Sequence, residues 1–171
     1  NALNVESRDN TPTGVAFNPT GTKMFVTGKG SDVILQYNLS ERFLPASGTL
    51  VYTLSTTTVS VHAGASVTNA PEDIHFNPTG TKMFIVGNGH NEVNQYTLST
   101  PFVLSTASHD YAFSVNSQEN NARGIAFDSS GKKMFIIGFT GDDVNVYELS
   151  TPFVISSATF IDGTCPECAA E

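Results

Sequence analysis

Glu72, Asp73 and His75 crowd one short stretch of the chain, and Arg123 stands at the matching point of a later, similar stretch. Two carboxylates and an imidazole are the materials of general acid–base catalysis or of a metal site. The same side chains serve as readily in an ion pair or a solvated rim. That plainer role is the expectation, because a catalytic set needs a convergence that spacing alone does not supply. His62 lies in a Thr-, Ser- and Ala-rich segment whose extra length marks a contact loop. His90 and His109 are expected at exposed positions. Asp32, Asp142 and Asp143 sit in Gly-rich stretches that resemble calcium loops slightly, but hairpin turns need the same residues. Turns are therefore the expectation and calcium the alternative.

The two cysteines, Cys165 and Cys168, form a Cys-Pro-Glu-Cys tail. No helix is expected after it, as a redox motif would need, and two thiolates are half a zinc site. Ala169 stands where haem attachment would require His. The tail reads as a local disulfide or as a link to another chain. No Ser-His-Asp order, nucleotide fingerprint or basic aromatic strip is present, so no cofactor is expected.

What must position these residues is legible from composition and repetition. With 171 residues the chain suits one domain. Eight basic against sixteen acidic residues, a net charge of −8, argue against nucleic acid or an anionic membrane as partner. No apolar run is long enough for a spanning helix. Plentiful Phe, Thr, Val and Gly beside only 14% charged residues is a strand-and-turn composition. The chain starts at Asn1, without Met or an apolar leader, which suits either a processed form or a piece of something longer.

Three copies of one unit fill the sequence. Gly14-Val-Ala-Phe-Asn-Pro-Thr-Gly-Thr-Lys-Met-Phe25 returns at 73–84 and again at 124–135. Each copy continues to a Tyr, at Tyr37, Tyr96 and Tyr147, followed by x-Leu-Ser. The spacings are 59 and then 51 residues, and all three methionines fall at one repeat position. Within the first unit four strands are expected, at about 14–17, 23–27, 33–39 and 49–54. Asn18-Pro-Thr-Gly21 makes the first turn. Runs apolar on both faces, such as Met134–Ile137, are typical of sheets covered on both sides.

These units resemble the β-propeller repeats of the YVTN, NHL and lactonase-like kind, on the Ala-Phe-x-Pro-x-Gly-Thr-Lys-Met-Phe and Val-x-x-Tyr-x-Leu-Ser motifs. The resemblance implies an all-β fold of three four-stranded blades, with units at about 13–52, 72–111 and 123–162 and a cysteine tail at 164–171. It places Glu72, Asp73, His75 and Arg123 near the mouth of a central channel. The triplicated Phe, Tyr and Met are then core between blades. Residues 1–10 align with the end of an outer strand and 158–162 with its beginning, as in a ring whose last blade is split. Three blades fall below the usual four to eight. Completion is therefore expected from copies of the chain, in a ring or a head-to-tail filament, or from further blades of a longer chain.

Propellers host enzymes and scaffolds alike. The leading expectation is a non-catalytic extracellular module on a cell surface, filament or virion. Its structural or adhesive loops would meet a glycan or a protein. The alternative is a secreted hydrolase or lactonase-like enzyme using Glu72, Asp73 and His75.

Overall fold

The structure is a computed structural model and describes residues 2–57 and 70–161. Twelve strands lie within them. The first sheet comprises β1 (Pro12–Phe17), β2 (Lys23–Gly28), β3 (Val33–Leu39) and β4 (Gly48–Ser55). The second comprises β5 (Pro71–Phe76), β6 (Lys82–Gly87), β7 (Glu92–Leu98) and β8 (Ala107–Ser114). The third comprises β9 (Ala122–Phe127), β10 (Lys133–Gly138), β11 (Val144–Leu149) and β12 (Ala158–Ile161). Each sheet is an antiparallel meander in chain order. The strands fall within a residue or two of their expected places.

The turns explain why the repeat motif is so uniform. The Asn18 carboxamide accepts the Lys23 N–H at 2.9 Å and donates to the Thr20 and Thr22 hydroxyls. Gly21 closes the turn at a φ of +67°, a conformation that L side chains rarely adopt. The Phe43 ring lies directly on Gly21, where a Cβ would collide with it. Gly80 under Phe102 and Gly131 under Phe153 repeat the arrangement.

The sheets stack face on face, with β1 beside β5 and β5 beside β9 as a row of first strands. Side chains alternate across each strand. In β6, Met83 and Ile85 pack toward the first sheet, while Phe84 and Val86 pack toward the third. All four are fully buried. The triplicated Tyr37, Tyr96 and Tyr147 and the three methionines are likewise buried. Burying side chains of this size stabilises by roughly 1.5–3 kcal/mol each, so the inter-sheet clusters carry the fold.

Two expectations change. His109 is buried rather than exposed: its Nε2 lies 2.7 Å from Asn94 Oδ1 and its ring meets the Tyr96 ring edge-on. A bulge between Gln95 and Tyr96 re-aims this part of the ladder. Residues 2–10, aligned with the end of an outer strand, form no strand themselves. They turn at Glu6–Arg8 and lay Leu3 and Val5 on the first sheet. The strand they would continue, β12, lies in the third sheet at the other end of the row. His62, Cys165 and Cys168 lie outside the described residues.

Candidate functional site

The four rim residues do gather where the first strands run side by side, but two of them are fully engaged there. Glu72, at the start of β5, is buried, and its Oε1 accepts from Lys29 Nζ at 2.6 Å and from Arg123 at 3.1 Å. One carboxylate thus ties the β2–β3 hairpin of the first sheet to β9 of the third. Lys29 was not singled out in the sequence. It sits between two glycines of a turn, and only the fold brings it to Glu72.

Asp73 binds backbone. Its Oδ1 accepts the Ile74 N–H at 2.8 Å and its Oδ2 accepts the Ile125 N–H at 3.1 Å, across to the third sheet. Gly14 allows this close approach, since a Cβ there would stand 2.8 Å from Asp73 Oδ1. Thr13 and Thr27 complete the junction by donating to the Pro71 and Glu72 carbonyls. General acid–base work needs a carboxyl group free to meet a substrate. Neither Glu72 nor Asp73 is free in that sense.

His75 is half-buried two residues further along β5, on the same face as Asp73. Its ring packs 5.3 Å from that of Phe127. Burial lowers its pKa below the ordinary 6.5, and the Asp73 charge opposes this in part. The imidazole is therefore neutral near pH 7. It borders a cleft of about 290 Å³ between the first and second sheets, lined also by Val15, Phe17, Phe76 and Pro78.

The calcium candidates serve the turns. Asp32 adopts a φ of 52°, and its Oδ1 accepts the Ala70 N–H at 2.6 Å, joining first sheet to second. Asp142 adopts the same left-handed conformation, and Asp143 accepts from the Asn145 carboxamide. Among the described residues, no three His, Cys, Asp or Glu side chains converge as a metal-ligand set.

Sequence reasoning also passed over Asp9 and Glu119, both buried. Asp9 accepts the Thr11 and Ser31 N–H groups, and Glu119 accepts those of Asn121, Thr140 and Gly141. Each carboxylate lies against a glycine, Gly28 or Gly138, whose bare Cα leaves room for it. The overlooked signal was positional: the two acids match when 3–10 is aligned with 113–120.

No protein-family model matches the sequence, and no curated protein matches it. Solved structures do. A 6-phosphogluconolactonase-like protein of Bacteroides uniformis superposes with a TM-score of 0.60 at 14% identity, over 94% of this chain and 43% of that one. The periplasmic gluconolactonase PpgL of Pseudomonas aeruginosa gives 0.59 at 10% identity, over 88% and 40%. The Cps50 (Swd1) β-propeller domain of Myceliophteria thermophila gives 0.56 at 8% identity, over 88% and 42%. Three stacked four-stranded meanders with this likeness are β-propeller blades, as the repeat motifs implied. The chain spans less than half the length of these propellers, and at such identities the likeness is one of fold.

Proposed function

We propose that this chain is a non-catalytic, extracellular propeller module. Its blades form part of a larger stacked particle, and its loops present a polar face to a glycan or protein partner. One observation carries the reading: the two carboxylates with catalytic potential at the rim are committed to holding blades together. Glu72 is locked between Lys29 and Arg123, and Asp73 bridges second blade to third through backbone N–H groups. A strongly acidic, Ser- and Thr-rich surface suits an outside medium and recognition through hydroxyl groups.

The lactonase names among the structural neighbours favour a second reading, a secreted lactone hydrolase acting near His75. Sugar-lactone hydrolysis by the purified chain and by His75→Ala separates the two. The module reading expects both proteins to match the uncatalysed rate. Turnover by the wild type that His75→Ala abolishes, with an unchanged far-ultraviolet circular dichroism spectrum, would overturn it.

A further inference from the structure

Both junctions between blades use one hydrogen bond in the same register. Gln36 Oε1 accepts the Leu104 N–H at 2.8 Å, and Gln95 Oε1 accepts the Ile155 N–H at 3.0 Å. Both lie in buried surroundings, where an unmatched partner is costly. The residue of the third blade that corresponds to Gln36 and Gln95 is Val146, which offers no acceptor. The residue of the first blade that corresponds to Leu104 and Ile155 is Pro45, which has no N–H to donate. Acceptor and donor are thus missing at the two outward-facing positions, so placing one opposite the other strands no polar group.

We propose that the outward face of the third blade seats the first blade of a second copy of this chain, with Val146 of one copy against Pro45 of the other. This rests on the reading that the chain is part of a larger propeller, and it names the partner. The surrounding residues fit the same register. Phe25 packs at a tilt against Phe76 at 4.6 Å and Phe84 against Phe127 at 4.5 Å; the next pair in the series is Phe135 with Phe17 of a second copy. Ile137 and Val144 on the third blade are 48% and 58% exposed, whereas their counterparts Val86 and Val93 are fully buried. On the first blade Val15 is 58% exposed, against 4% for Ile74 and 6% for Ile125.

Residues 3–9 supply a further element of the seat. The Val5 carbonyl accepts from the Arg8 and Asp9 N–H groups, as the Val115 carbonyl accepts from those of Gln118 and Glu119. Leu3 and Val5 lie on the first blade as Phe113 and Val115 lie on the third. This segment therefore occupies the place of a preceding blade's outer-strand end. In the docked pair Leu3 of the second copy meets Val144, as Phe113 pairs with Val93.

Sedimentation of the full chain over a wide concentration range tests the junction. The wild type is expected at twice 18.2 kDa, two copies closing a ring, or as a longer head-to-tail series containing the same contact. Val146→Gln and Pro45→Leu should each weaken association about ten- to a hundredfold, by stranding an acceptor or a donor. The double variant should recover most of the loss, because it rebuilds the hydrogen bond found at the other two junctions. Phe135→Asp, checked by circular dichroism, should fold and remain a single chain. Association as tight as wild type in Phe135→Asp, or losses that multiply in the double variant, would overturn this register while leaving the larger-propeller reading intact. A wild-type chain that stays single at the highest concentrations would overturn the second-copy partner, leaving further blades of a longer chain to complete the propeller.

Discussion

Replacing Gln95 by Val gives the second blade the residue that the third already carries at that position. Val suits a strand, so the backbone loses nothing by the change. The loss falls on the neighbouring blade: the Ile155 N–H, beside a fully buried side chain, has its acceptor removed. Stranding a buried donor costs about 1–3 kcal/mol. The bond from Gln95 Nε2 to Asp110, at 2.9 Å and partly exposed, adds about 0.5 kcal/mol. About 2 kcal/mol in all corresponds to a fall in Tm of about 4–8 °C for a chain of this size. Urea unfolding should show a lower midpoint at unchanged slope, since the surface exposed on unfolding is the same. Hydrogen exchange at the Ile155 amide should accelerate. A change below about 0.5 kcal/mol, within the scatter of surface substitutions, with Ile155 as protected as before, would refute the reasoning.

Further outcomes follow from the site and the turns. Gly131→Ala, at a φ of +70° and beneath the Phe153 ring, should cost more than 1 kcal/mol in thermal or urea unfolding, as strain and collision add. Glu72→Gln should destabilise by about 1–2 kcal/mol, and added salt should recover part of the loss, because Lys29 and Arg123 then repel each other without their carboxylate. His75 has a folded-state pKa below its unfolded 6.5, so its contribution is fully present above pH 6.5 and is lost as pH falls through the lower folded value. Unfolding measured from pH 8 to pH 5 should show this decline, and His75→Phe should flatten it.

The fold was legible because the repeat speaks three times. Gly21, Met24 and Tyr37 each return in register, and Asn18 returns as Asn77 and Asp128; every return marks a turn or a buried face that a single unit would leave ambiguous. Two-sided apolar strands such as Met83–Val86 announced cover on both faces, and the structure supplies it. The site was legible only as a cluster of types. Its partners depend on distances across blades: Lys29 reaches Glu72 over 43 residues and Asp73 reaches Ile125 over 52. No local pattern encodes such pairings. His109 misled for a similar reason, because a bulge and a neighbouring Asn94 decide its burial, and an alternating strand does not reveal either. The Gln36–Gln95–Val146 series was visible one residue before each Tyr, but its meaning required seeing what the two glutamines hold.

The central claim is that each of these sheets needs cover on both faces. Hydroxyl-radical footprinting of Phe135, Ile137 and Val144 at rising protein concentration tests it most directly. The account predicts that their reactivity falls, as the chain associates, to the level of their buried counterparts Phe84, Val86 and Val93. If the three stay fully reactive in a folded, soluble protein at every concentration, the claim is contradicted.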